Sequence, residues 1–343
     1  MRKSMPMRIS FVTIVLVLAA AIAPLRPAVP AMVRAGGDPA PLAGVPLRAQ
    51  TGLRLVVADN PPFVLDVDNV RVTPLRDLAP QRRGVLWVVG IGGRSARSVW
   101  RHADLYAVRG RAGRVSSLGD GADVVPAADG RSAWVKSFGR SGCSIRQLSL
   151  DGRVIRAPRA FPCASTIASG GALGLVVNRT RVIEPRDGRT LLRTRWGVLA
   201  AAGRTLVLAG PGKMFTVLDT ASREQRRVPW PDTVGGLDTP AVDPRGRFVA
   251  LAFGSPGGAQ QVLDIWLLDT KTMRLSQLPG MPALVSLKAT NMAWTHDGQL
   301  VLLGESSGRD VVALWRPGEK RLALKTVQLP DRDSGSDSFA VLR

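Results

Sequence analysis

An all-β ring of repeated four-stranded sheets, a β-propeller, is the fold class this sequence predicts, and three observations predict it. The first is a recurring phrase. A glycine followed by an apolar strand occurs at Gly52, Gly84, Gly130, Gly171, Gly203, Gly246 and Gly298, at separations of 32, 46, 41, 32, 43 and 52 residues. A self-similar unit of roughly 40–45 residues is what a propeller blade leaves in a sequence. The second is the filling of each unit. Stretches such as "DIWLLDTKTMRLSQL", "MFTVLDTASREQRRV" and "SIRQLSLDGRVIRAP" read as strand, tight polar turn, strand, a hairpin by alternation and turn chemistry. The third lies at the ends. The Gly52 unit has no innermost strand before it, while "SDSFAVLR" (336–343) is an innermost strand with nothing after it. Joined, they complete one blade, so the C-terminal strand closes the ring against the N-terminal blade and removes the exposed sheet edges. The expectation is seven blades, with six or eight as alternatives.

The elements follow in chain order. Residues 1–25 begin with the basic "MRKSMPMR" and continue as "ISFVTIVLVLAAAIA" from Ile9 to Ala23, without a charge. A basic start before a short apolar run predicts a hydrophobic helix that serves as a signal peptide or membrane anchor, short of the about 20 residues of a spanning helix. Ala21-Ile22-Ala23 has the small residues of a cleavage site, but Pro24 directly after it is awkward for a peptidase. Cleavage and retention both stay open. Residues 26–50 are rich in proline and alanine and lack periodicity, which predicts an extended linker outside the folded domain. Residues 51–343 are the propeller domain.

Composition narrows the function classes. The 343 residues carry a formal charge of +21, and only seven of the 47 basic residues are lysine. A basic surface favours anionic partners. The arginines are spread over every unit, and one Tyr and eight Phe offer few platforms for base stacking, so nucleic acid is not the expected partner. An unknown protein or an anionic polymer is expected instead, with a membrane contact through the N-terminal segment if it is uncleaved. The chain is expected to be a monomer, exported to the outer face of the cell membrane or secreted.

Cys143 and Cys163 flank one hairpin whose turn is Asp151-Gly152, near the open end of one antiparallel pair. In an oxidising compartment these two are expected to form a disulfide.

No motif predicts catalysis. Gly304-Glu305-Ser306-Ser307-Gly308 matches the letters of a nucleophile elbow, but "RDVVALW" after it is a strand where the elbow needs a helix. "AGPGKMF" (209–215) lacks phosphate-loop spacing. His102 and His296 are the only histidines, and "PDRDSGSD" (330–337) lacks the glutamate that closes a calcium loop. No metal or cofactor is expected. The longest insertion, "GIGGRSARSVWRHAD" (90–104), offers Arg94, Arg97, Trp100, Arg101 and His102. A planar aromatic among guanidinium forks suits carboxylates, phosphates or anionic sugars. A second candidate, "PGMPALVSLKATNMAW" (279–294), reads as a long apolar crossover that packs into the core.

Asp243-Pro244-Arg245-Gly246-Arg247-Phe248-Val249-Ala250, His296-Asp297-Gly298-Gln299 and Asp129-Gly130-Arg131 carry a resemblance to the WD40-like repeats of TolB-type propellers. The whole of residues 51–343 is similar to exported propellers of actinobacteria. The resemblance implies a scaffold and, often, protein or glycan binding. The reading is therefore a non-catalytic binding scaffold at the cell envelope. The rival is a propeller hydrolase or lyase with carboxylates or calcium in its channel.

Overall fold

A computed structural model of the chain describes residues 32–33, 37–57, 62–75, 86–89, 103–109, 113–233, 235–238, 240–255, 261–330 and 339–342. The expected N-terminal helix falls outside them. The described residues form strands throughout, apart from one short 3-10 turn at Gly171–Leu173, and no helix among them is long and apolar enough to cross a membrane.

Three short strands come first: β1 (Met32–Val33), β2 (Ala40–Pro41) and β3 (Gly44–Pro46). The first sheet then holds β4 (Arg54–Val57), β5 (Phe63–Asp66) and β6 (Arg71–Pro74). The second holds β7 (Leu86–Val89), β8 (Ala103–Arg109) and β9 (Arg114–Gly121). The third is β10 (Asp123–Pro126), β11 (Ser132–Gly139), β12 (Gly142–Ser149) and β13 (Val154–Phe161). The fourth is β14 (Ile167–Ser169), β15 (Leu175–Val177), β16 (Arg181–Ile183) and β17 (Thr190–Arg193). The fifth is β18 (Val198–Ala202), β19 (Thr205–Ala209), β20 (Met214–Asp219) and β21 (Gln225–Pro229).

The next strands belong to one hydrogen-bonded network of 12. A sixth sheet within it comprises β22 (Gly236–Leu237), β23 (Ala241–Val242), β24 (Phe248–Ser255), β25 (Gln261–Asp269) and β26 (Arg274–Gln277). A seventh comprises β27 (Ala283–Trp294), β28 (Leu300–Ser306), β29 (Arg309–Trp315) and β30 (Leu322–Val327). The start of β27 pairs with β25 before its far end pairs with β28, which fuses the two sheets. The last strand, β31 (Phe339–Leu342), returns to the first sheet and pairs antiparallel with β4, Ala340 opposite Val56.

In the first, third and fifth sheets burial falls from the innermost strand to the outermost. In the third sheet β10 is buried over three of its four residues, and β13 is exposed over most of its length. In the first sheet β31 is buried throughout and β6 almost nowhere. Such a gradient arises when sheets stand radially and pack both faces of their inner strands on neighbours. The apolar clusters trace that packing. Val64 shares a cluster with Val108, Leu105 with Val135, and Trp134 with Leu175, between successive early sheets. Val182 meets Leu206, Val217 meets Leu251, and Leu263 meets Trp294 between the later ones. Val301 and Leu314 of the seventh sheet share a cluster with Leu55 and Phe339 of the first.

The recurring phrase has a local cause. In Asp243–Gly246 the Gly246 amide donates to the Asp243 carbonyl, while the Phe248 amide donates to Asp243 Oδ1 at 2.6 Å. Gly246 sits at φ +69, where a side chain is strained. In the copy at 295–299, Thr295 does the work of Asp243: its Oγ1 accepts from the Gln299 amide at 2.9 Å. Asp297 holds a different turn position and accepts from Arg316 Nη2.

One expectation needs correction. Residues 40–47, read as part of a free linker, are instead bound to the sheets. β1 pairs in parallel with β26, β2 with β27 and β3 with β30. The Leu42 amide donates to Ser306 Oγ at 3.0 Å and the Leu47 amide to the Leu324 carbonyl at 2.8 Å. The physical reason lies in the outer strands. β30 begins "LALK", a poorly guarded apolar edge, and needs a cover. β7 lies parallel to β8, not antiparallel as a simple hairpin would place it. The intervening stretch, residues 90–102, has the length of about a dozen residues that a parallel connection requires.

Candidate arginine-lined site

Arg94, Arg97, Trp100, Arg101 and His102, the five binding candidates of the sequence reading, lie outside the described residues. So does most of the acidic stretch 330–337. The crossover at 279–294 is described and packs as expected, with Met281, Ala283, Val285 and Trp294 in the core. The Ser306–Gly308 stretch is a β28–β29 hairpin, with Ser307 and Gly308 both at positive φ. Ser306 is buried, and its hydroxyl donates to the Leu284 carbonyl.

Cys143 and Cys163 form a disulfide, with a Cα separation of 5.0 Å. Beside it lies Lys136, which no motif marked and which is only 6% exposed. Its Nζ donates to the Cys163 and Ser165 carbonyls at 2.6 and 2.5 Å. Burial lowers the Lys136 pKa, and Asp123, its partner across the strand pair, opposes that shift. Both Lys136 bonds tie the loop after β13 to its own sheet, so the role of Lys136 is structural. Asp264, at 2% exposure, is likewise committed: it accepts from Trp266 Nε1 at 2.9 Å and Gln277 Nε2 at 2.8 Å. Among the described residues no group of three His, Cys, Asp or Glu side chains is placed to hold a metal ion.

A cleft of about 420 Å³ opens on the seam between the second and third sheets. Arg109 reaches it from the end of β8, Arg131 from the β10–β11 turn, and Ser149 to Ile155 from the β12–β13 turn. Gly152 seats this turn on β9: a Cβ there would lie 2.4 Å from the Ser117 carbonyl oxygen, and its φ is +86. The two walls are thereby held in register.

Three arginines and one aspartate, Asp151, line the cleft. Arg153 donates from Nε and Nη2 to Asp151 Oδ2 at 2.9 and 2.7 Å, and the Ser149 hydroxyl donates to Asp151 Oδ1. The Arg153 bond, then the Ser149 bond, hold the Asp151 carboxyl far below the usual range, so it stays ionised. Arg109 donates from Nη2 to Ser116 Oγ at 3.2 Å, while its buried Nε has no protein partner. Val154 and Ile155 are 59% and 50% exposed, the most exposed of the large apolar side chains recorded at the surface. Cationic forks beside a bare apolar ledge suit a ligand with carboxylates or phosphates and an apolar part.

The remaining turn carboxylates are structural. Burial would raise Asp129, but bonds from the Arg131 amide and the Ser132 hydroxyl and amide outweigh it and lower its pKa. Asp297 is lowered first by the Thr295 hydroxyl and then by Arg316.

No protein-family model matches this chain, and no curated protein matches it in sequence. Solved structures do match. A functionally unknown protein from Desulfotomaculum acetoxidans is similar over 85% of this chain and 99% of its own, at 12% identity and a TM-score of 0.50. TolB from Acinetobacter baumannii is similar over 86% of this chain and 67% of its own, at 12% identity and a TM-score of 0.45. The β-propeller domain of the Trilobed protease from Pyrococcus furiosus is similar over 87% and 98%, at 12% identity and a TM-score of 0.45. At such identity the likeness concerns fold alone. With the radial sheets described above, the fold is an all-β propeller; the narrower resemblance to actinobacterial proteins has no support among these three.

Proposed function

We propose that this propeller is an exported, non-catalytic binding scaffold that presents a basic cleft to an anionic partner at the cell envelope. In this reading the ring has seven blades and the C-terminal strand closes it. The pairing of β31 with β4 and the shared cluster of Val301, Leu314, Leu55 and Phe339 support the closure. The disulfide and the apolar stretch from Ile9 to Ala23 support export.

One observation carries the binding role: Arg109, Arg131 and Arg153 converge on an open cleft that holds a single carboxylate. Gly152 seats the β12–β13 turn on β9, so a ligand meets a backbone frame that is largely preformed. Partner choice would rest on charge first and on the Val154–Ile155 ledge second.

Calorimetric titration of the full chain with poly-glutamate, at low and at physiological salt, tests this reading. Binding that weakens with salt and falls at least tenfold in the Arg109→Glu, Arg131→Glu double variant is expected. Binding that ignores the double charge reversal would remove the cleft from the account. Fractionation that finds the intact N-terminus in the cytoplasm would remove the export.

A further inference from the structure

The chain itself shows how its outer sheet edges are used. β1 and β3 each add in parallel to an outermost strand, β26 and β30. The outer strands of the other sheets have no such cover among the described residues. Natural edges of this kind are guarded by shortness, charge or proline. β6 and β17 have four residues each, and β21 begins with Gln225, Arg226 and Arg227 and ends at Pro229.

Two uncovered edges are longer. β9 has eight residues but carries Arg114 and Asp120. β13 also has eight; proline guards it only from Pro158 onward, and its ladder with β12 shifts register between Ile145 and Leu148. Its first four residues, Val154-Ile155-Arg156-Ala157, are all exposed and include the two barest apolar side chains. The same Val154 and Ile155 form the ledge of the arginine-lined cleft. An open strand edge, an apolar ledge and a cationic cleft therefore meet in one place.

We propose that the edge of β13 over Val154–Ala157 takes an extended acidic peptide as a fifth strand, in the manner in which β30 takes β3. The proposal rests on the anionic-partner reading above and narrows it to a polypeptide. Backbone bonds along the edge would supply affinity, and alternate side chains would supply specificity. Acidic side chains of the added strand would meet the arginines of the cleft, and apolar ones would cover Val154 and Ile155. A polysaccharide could use the arginines, but it would leave the strand edge and the ledge unused.

Fluorescence anisotropy of the full chain with a labelled octapeptide of alternating Asp and Val gives the test. Two further octapeptides carry N-methyl groups on alternate residues, one for each edge of the added strand. Salt-sensitive binding of the parent is expected, with one N-methylated peptide at least tenfold weaker and the other within about threefold. Val154→Ser with Ile155→Ser, both on the exposed edge, should weaken the parent peptide at least tenfold. If both N-methylated peptides bind like the parent, strand addition is overturned and the anionic reading survives. If neither the octapeptide nor poly-glutamate binds, both fall. A dimer in sedimentation that the Ser variants abolish would overturn the peptide in favour of a second copy of the chain.

Discussion

Replacing Gly246 by Ala, beside the same change at Gly298, isolates the contact between neighbouring sheets. Both glycines open an apolar strand and both hold left-handed backbone, at φ +69 and +84. Alanine at either position costs about 1–2 kcal/mol in that conformation. Lower entropy of the unfolded chain returns about 0.4–1 kcal/mol at both. At Gly298 a Cβ would meet nothing within 4 Å. At Gly246 it would sit 2.5 Å from the Gly203 amide nitrogen and 2.9 Å from the Ala202 carbonyl carbon. Those are backbone atoms of the turn between β18 and β19 in the adjacent sheet, about 1 Å inside ordinary contact. They cannot swing away as a side chain would. Overpacking of this kind adds about 1–3 kcal/mol. Gly298→Ala should therefore destabilise by about 1 kcal/mol and Gly246→Ala by about 2–4 kcal/mol. Urea unfolding followed by tryptophan fluorescence, with slopes compared as well as midpoints, reads the difference. Two variants within about 0.5 kcal/mol of each other would refute the sheet-to-sheet contact on which the radial packing depends.

Other outcomes follow from the same geometry. Gly44→Val should release β3, since even a Cβ there would lie 2.4 Å from the Leu322 carbonyl oxygen; faster proteolysis within residues 37–50 would report it. Cys143→Ser opens a crosslink with a sequence separation of 20 and should cost about 3 kcal/mol on the loop-entropy model, read by urea unfolding under non-reducing conditions. Asp129 has a folded-state pKa below its ordinary 3.8, so its contribution is present above about pH 4 and lost as pH falls through the folded value. The stability gap between the protein and Asp129→Asn should then be widest near neutrality and close on acidification; a gap that widens in acid would contradict the assigned bonds.

The repeat was legible because its signals are local. A left-handed glycine, a turn aspartate and an apolar run lie within about ten residues, and the structure uses them as read at Gly246, whereas at Gly298 Thr295 takes the place of the aspartate. The disulfide was legible for the same reason, since both cysteines flank one hairpin. The bound segment at 40–47 was not. Its pairing is made by backbone groups, which leave no mark on a Pro/Ala-rich stretch. A sign did exist on the other side of the contact: β30 starts with Leu322, Ala323 and Leu324, whereas the uncovered β21 carries Arg226 and Arg227. The arginine-lined cleft was missed because it is assembled from three separate turns and strand ends. Its one readable signal was Val154-Ile155 between Arg153 and Arg156, an apolar pair on a strand the repeat already placed outermost.

The claim on which the scaffold depends is that the C-terminal strand completes the first sheet and so closes the ring. The most direct measurement is urea unfolding of the chain ended at residue 338 beside the full chain. The missing strand carries Phe339, Ala340, Val341 and Leu342, all buried, and covers Leu55 and Val57. The account predicts a large fall in midpoint, or loss of the cooperative transition. An unchanged midpoint and slope would mean that the ring does not depend on this strand, and would contradict the closure.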